Sequence, residues 1–198
     1  MVVFDGNNGK LKWINETSHS KVVFDCDFSA DETLLATASY DNSARIWDIE
    51  SGKEHTQPLI SNAGFWHCRF TMDQTKLITG DYNSNCQIWD INKGTLLQNT
   101  FKQESPILAV AATEDPNKAI VTLLNGRVAL WDISRNNRRP ILLTHNLQIM
   151  NSQLLPDDHI ATSGLDAKVK VWDLKNLGEY DTLKVEEDVW WMDYSASS

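Results

Sequence analysis

Four Trp-Asp pairs, Trp47-Asp48, Trp89-Asp90, Trp131-Asp132 and Trp172-Asp173, follow one another at steps of 42, 42 and 41 residues. A fixed period of this length means that one supersecondary unit is copied along the chain. Each copy is too small to bury its own apolar face, so the copies must stack on one another. A row or ring of packed sheets is the expected product, and the repeat runs unbroken through all 198 residues. The chain is therefore read as a single repetitive domain, 1–198, with no linker at which to divide it.

Aligned on the tryptophans, Leu34 to Ser39, Tyr40 to Ser43 and Ala44 to Ile49 read as strand, tight turn and strand. Asp and Asn in the turn tolerate the positive φ that two-residue hairpins need. The hairpin recurs as Lys76 to Ile91, Ala119 to Ile133 and Ile160 to Leu174. A further strand precedes each: Val22 to Phe28, Phe65 to Phe70, Ile107 to Ala112 and Ile149 to Leu154. Another follows each Trp-Asp, as in Thr95 to Phe101 or Thr182 to Val185. Four antiparallel strands per copy make a propeller blade.

On these residues the chain resembles the WD-repeat (WD40) β-propeller family, and the resemblance covers nearly all of it. It implies an all-β fold of four complete four-stranded blades, 19–60, 61–102, 103–144 and 145–184. A split fifth blade would be formed by a partial blade at 1–18 and a first strand within 185–198. Trp13 has the phase of the Trp-Asp strand, and Val189 to Ser195 has the phase of a first strand, so the two ends are expected to pair and close the ring. The alternative is a fragment, or an open part, of a seven-bladed propeller.

The family's hydrogen-bonded tetrad of His, Ser or Thr, Asp and Trp maps onto His19, Thr37, Asp41 and Trp47 in the first repeat. In the fourth it maps onto His145, Thr162, Asp166 and Trp172, after a deletion near Pro156. The second repeat keeps Thr79 and Trp89 but has Ser61 and Asn83 in the other places. The third has Asn125 and Trp131 beside Gln103 and Val121. The resemblance implies that the Asp accepts from the His, while the His and the hydroxyl hold the indole N–H, and that the first and fourth blades are stiffer than the other two. Ser or Thr, His and Asp together also match a hydrolase triad in residue type. Their repetition with a Trp at fixed spacing favours a structural network, so no catalytic residue is assigned.

The family also places two kinds of position on the narrower face around the channel: the residue before the tetrad Asp and one early in the first strand. The first set is Tyr40, Tyr82, Leu124 and Leu165, and the second is Phe24, Trp66, Leu108, Met150 and Trp190. All are large and apolar beside turns that are ordinarily polar, and Tyr, Trp and Met favour the centres of interfaces. They form the candidate partner-binding set. Packing between blades is the competing reading for strand residues such as Phe24 and Leu108.

Composition narrows the rest. Hydrophobic residues make up 41% and charged residues 23% of the chain, and no apolar run approaches the roughly 18–20 residues of a membrane span. Without a recognisable leader at Met1 to Asp5, a cytoplasmic or nuclear location is expected. A net charge of −9 disfavours direct nucleic-acid binding, and the one basic cluster, Arg135, Arg138 and Arg139, reads as a solvated turn. Cys26, Cys68 and Cys86 form no Cys-x-x-Cys and read as buried filler; neither a metal site nor a cofactor is expected. The expected function is a non-catalytic scaffold that binds other proteins within a larger complex, with no small-molecule substrate. The alternatives are a ubiquitin-ligase substrate receptor and a protein component of an RNA-processing or ribosome-associated particle. Family members of the first kind often carry an Arg three residues after the Trp, where this chain has Glu50, Asn92, Ser134 and Lys175.

Overall fold

Strand alternation along each repeat sends successive side chains to opposite faces of a sheet, and both faces are apolar here, so each sheet needs a neighbour on either side. The computed structural model describes residues 2–6, 8–15, 19–97, 101–134, 141–176 and 178–187. An N-terminal hairpin, β1 (Val2–Phe4) and β2 (Leu11–Ile14), precedes four blades. The first blade is β3 (Val23–Phe28), β4 (Leu34–Ser39), β5 (Ser43–Asp48) and β6 (Leu59–Ile60). The second is β7 (Phe65–Phe70), β8 (Lys76–Asp81) and β9 (Asn85–Asp90), with β10 (Thr95–Leu96) and β11 (Phe101–Lys102) both pairing β9. The third is β12 (Ile107–Ala112), β13 (Lys118–Leu123), β14 (Arg127–Asp132) and β15 (Ile141–Thr144). The fourth is β16 (Ile149–Leu155), β17 (His159–Gly164), β18 (Lys168–Asp173) and β19 (Gly178–Lys184). All pairings are antiparallel.

The four-blade reading therefore holds, with one local difference in the fourth blade. The outer strand of the second blade is described at Thr95–Leu96 and Phe101–Lys102, the part of the expected run at 98–100 lying outside the described residues, and that of the fourth spans Gly178–Lys184, starting earlier than the expected Thr182 to Val185. The hairpin at the N-terminus forms as its phase predicts, turning through Gly6 to Lys10 with Asp5 N–H donating to the Lys10 carbonyl. The strand expected at Val189 to Ser195, and with it the closure of the ring and the position of Trp190, lies outside the described residues, as do Arg135, Arg138 and Arg139.

The core lies between blades rather than within them. Leu34, Ala36 and Ile46 of the first blade pack with Phe65, Cys68 and Trp89 of the second. Ile78 and Ile88 of the second pack with Ile107, Val110 and Trp131 of the third, and Val128 and Leu130 of the third with Ile149, Ile160 and Trp172 of the fourth. Trp47, only 1% exposed, meets Trp13 of the hairpin at 6.4 Å, and the Trp13 indole donates to the Ile49 carbonyl. Each Trp thus seals the joint to the preceding unit. The neighbouring Asp acts elsewhere. Asp48, Asp90, Asp132 and Asp173 accept backbone N–H groups two or three residues on, folding the turn toward the outer strand.

The first joint also has a polar clamp. Asp25 and Asp27 of β3 accept from the backbone N–H of Cys68 and Phe70 on the free edge of β7, and Arg69 Nη1 donates to Asp25 at 2.6 Å. Two carboxylates two residues apart satisfy alternate N–H groups of an edge that has no strand partner. Cys68 and Cys86 are buried as expected, and burial pushes the Cys86 thiol up to about 12. Cys26 is a correction, because it is exposed. Its equivalent Cys68 is covered by the first blade, whereas Val23, Cys26 and Phe28 have no described first strand in front of them.

Turn chemistry follows the repeat. Asn42, Ser84, Gly126 and Ala167 hold φ of 69°, 67°, 84° and 53° at the second turn position of each blade. The shortened turn near Pro156 is closed by two successive left-handed residues, Asp157 and Asp158. Ala167 bears the steric penalty of this conformation, whereas a Cβ on Gly126 would lie 2.3 Å from the Leu147 carbonyl oxygen. Ala167→Gly should raise stability by about 0.5–1 kcal/mol and Gly126→Ala should lower it by about 2 kcal/mol or more, read from thermal or urea unfolding. An Ala167→Gly variant less stable than the parent would contradict this account of the turn.

Candidate functional site

The candidate face is built by one local device repeated four times. Register between the first and second strands slips between Val23 and Asp25, Phe65 and His67, Ile107 and Ala109, and Ile149 and Asn151. The residues at the slip are Phe24, Trp66, Leu108 and Met150, the first-strand members of the candidate set. A bulge turns its extra side chain out of the regular alternation, which re-aims it at the end of the blade. The second set is fixed by an equally regular bond. Tyr40, Tyr82, Leu124 and Leu165 each donate a backbone N–H, at 2.9 Å, to the carbonyls of Val22, Gly64, Pro106 and Gln148. Both sets therefore lie at the same end of every blade.

The rings of the first two blades touch. Phe24 stacks on Trp66 at 5.3 Å, Tyr40 meets Phe24 edge-on at 6.0 Å and Tyr82 at 6.5 Å, and Trp66 lies 5.8 Å from Tyr82. Phe24, Tyr40 and Tyr82 remain 48%, 45% and 60% exposed although their rings are in contact. Their exposure argues against simple packing between blades. Trp66, Leu108, Leu124, Met150 and Leu165 are half-buried. Trp66 and Tyr82 also wall a cleft of about 410 Å³ shared with Pro106, Leu108 and Leu124. Met150 and Leu165 repeat the same positions in the fourth blade but are not among its walls. The Lys21 ammonium sits 5.2 Å from the Tyr40 ring centre.

Gly64 is not singled out by the sequence pattern and is needed: a Cβ there would come within 2.7 Å of the Tyr40 ring. Pro106 escapes the pattern too. Val22, Gly64, Pro106 and Gln148 are spaced by 42 residues, so the period itself carries the signal.

Beneath the face, the tetrad holds the turns of the first and fourth blades in place. In the first blade Trp47 Nε1 donates to Thr37 Oγ1 at 3.0 Å, Thr37 Oγ1 lies 2.8 Å from His19 Nε2, and His19 Nδ1 lies 3.0 Å from Asp41 Oδ2. The fourth blade repeats this with Trp172 to Thr162 at 2.7 Å, Thr162 to His145 at 2.7 Å and His145 to Asp166 at 3.0 Å. The imidazole does not reach the indole, which corrects the expectation; the hydroxyl alone accepts from it and donates its own proton to Nε2. With Nδ1–H donated to the carboxylate, one neutral tautomer satisfies the whole chain.

In the second blade Thr79 still receives the Trp89 indole at 2.9 Å, but the acid is Asp81, two residues before the aligned Asn83. Asp81 accepts from the Ser61 hydroxyl and from the backbone N–H groups of Asn83 and Asn85. The alignment points to Asn83, whose own backbone serves the displaced carboxylate. In the third blade Val121 offers no oxygen to Trp131, and among the described residues Gln103 Nε2 is buried without an acceptor.

Burial lowers the pKa of His19 and His145 more than their Asp partners raise it, so both rings are neutral at pH 7. Asp41 is held well below the usual carboxylate range: burial opposes ionisation, and bonds from the Ser43 hydroxyl, the Ser20 N–H and His19 outweigh it. Asp166 is lowered likewise, burial opposing and His145 prevailing. A buried carboxylate beside a neutral, double-bonded imidazole is a framework element, since the imidazole Nε2 already accepts from threonine and is not free to act as a base. Among the described residues no group of His, Cys, Asp and Glu could hold a metal ion.

Repeated four-stranded sheets stacked through Trp-sealed joints, with the tetrad in two of them, define a protein of propeller blades. Residues 11–48 match the family described as WD domain, G-beta repeat. Folds of this kind generally mediate protein–protein interaction and are typically non-catalytic.

Both histidines resist protonation when folded but accept a proton freely when unfolded. Their contribution to stability is therefore complete above about pH 6.5 and lost as the pH falls below it, with a second loss below about pH 4 as Asp41 and Asp166 are neutralised. The thermal midpoint should decline between pH 7 and 5, and His19→Gln with His145→Gln should flatten that slope while lowering the midpoint at pH 7.5. An unchanged slope in the double variant would refute the assignment. Thr162→Val should cost about 1–3 kcal/mol by stranding the buried indole N–H and imidazole nitrogen.

Proposed function

We propose that this protein is a non-catalytic scaffold within a larger cytosolic or nuclear complex, and that it grips a peptide or protein surface on the face bearing the bulge residues and the residues before the turns. The observation that carries the reading is the fourfold bulge. Each blade departs from regular pairing at the position that holds Phe24, Trp66, Leu108 or Met150. A sheet that served only to pack against its neighbours would gain nothing from turning large apolar side chains toward its end, where burial is incomplete.

The chemistry of the face supports a protein partner. Trp and Tyr with their rings in contact lose little conformational entropy on binding, and such residues dominate binding energy at interface centres. The turns beneath are locked by backbone bonds and, in the first blade, by the tetrad. The face is therefore ordered before any partner arrives.

Tyr40→Ala combined with Trp66→Ala should abolish capture of the protein's partners by the purified full chain, while the thermal transition moves by only about 1–2 kcal/mol in stability. Retained capture would refute the reading, and a collapse of stability with loss of the cooperative transition would assign the two residues to the core instead.

A further inference from the structure

Because the chain is a repeat, each joint between neighbouring blades is a template for the next. At the end of the first joint the space is filled from within. Phe24 and Tyr40 of the first blade meet Trp66 and Tyr82 of the second, with Phe24 lying flat on Trp66 at 5.3 Å and Tyr40 edge-on to Tyr82 at 6.5 Å. Gly64 makes room for the Tyr40 ring. At the second joint the same positions are Trp66 and Tyr82 on one side, and Leu108 and Leu124 on the other, with Pro106 in the place of Gly64. Two rings have become two leucines. At this joint Trp66, Tyr82, Pro106, Leu108 and Leu124 line a cleft of about 410 Å³.

We propose that this cleft takes an aromatic side chain, Trp, Tyr or Phe, presented by a protein partner, which completes across the second joint the aromatic contact that the chain makes for itself across the first. The inference rests on the face being a protein-binding surface and names what enters it. Charge complementarity selects an uncharged occupant. The one acidic side chain in the lining is Asp81, and its carboxyl oxygens accept from the Ser61 hydroxyl at 3.2 Å, the N–H groups of Asn83 and Asn85 at 2.9 Å each, and the Asn85 side-chain amide at 2.8 Å. A Lys or Arg would surrender its hydration for no free anion. A carboxylate would face π clouds and a chain of net charge −9. An aliphatic anchor could enter, but it forgoes the stacked or edge-on contact that the Trp66 and Tyr82 rings offer.

The probes are N-acetyl-tryptophanamide, N-acetyl-leucinamide and N-acetyl-lysinamide, titrated into the full chain with the Leu108 and Leu124 methyl groups followed by NMR. The tryptophanamide should give saturable upfield shifts of both leucines, in the millimolar range, and bind about five- to tenfold more tightly than the leucinamide. Leu124→Tyr, which restores the ring found at the first joint, should fill the cleft from within and remove those shifts without lowering the thermal midpoint. Equal or tighter binding of the leucinamide or lysinamide, no saturable shift with any probe, or unchanged binding in a folded Leu124→Tyr variant would overturn the proposal. Partner capture separates it from the reading on which it rests: capture that survives Leu124→Tyr but not the Tyr40→Ala and Trp66→Ala double variant overturns the cleft and leaves the face intact.

Discussion

Every blade in this protein buries its apolar faces only by lying against another blade. The central strands have no solvent side: β4 is buried along its whole length, and β8 and β13 at all but their first residues. No single sheet could hold that arrangement alone, so the joint between sheets, not the sheet, is the unit of stability. The Trp of each repeat sits in that joint because a large flat ring can cover the neighbouring sheet, and in Trp47, Trp89 and Trp172 its one polar atom is tied back to its own blade. The Asp beside it acts outside the joint, where it folds the turn to the outer strand.

The tetrad shows how little of a polar network must be kept for a blade to form. What must be satisfied is the buried indole N–H, and threonine does that in three of the four blades. Histidine then orients the hydroxyl, and a carboxylate orients the histidine. In the second blade the histidine is missing and the acid has moved to Asp81, yet the turn is still drawn together by the same kind of bonds. In the third the hydroxyl itself gives way to Val121. The network is a graded reinforcement of joints that apolar burial already makes.

Much of this is legible in the sequence because a repeat reports its own phase. The hairpins and the N-terminal pair of strands follow from spacing, while the tetrads of the first and fourth blades and the candidate face follow from the family resemblance laid onto that spacing. Spacing cannot reveal that Asp81 replaces Asn83, since the carboxylate reaches the same place from a different backbone position. It cannot show the bulges either, because a slip in pairing leaves no mark in the identity of Phe24 or Trp66. Cys26 is misplaced for a related reason: its phase is that of a buried residue, and exposure depends on what stands in front of β3. Phase predicts where a side chain points, and only neighbours decide what it meets.

The cleft lies between the second and third blades, with a further blade packed on each side of that pair. In an array held by nearest-neighbour joints, a unit packed on both sides must lose two joints before it opens. The walls supplied by Trp66, Tyr82, Leu108 and Leu124 thus belong to two blades that are each held on both faces. A ligand entering there meets a shape that seldom departs from its bound form, so little of the binding free energy goes to ordering the protein, and differences among ligands are expressed nearly undiluted.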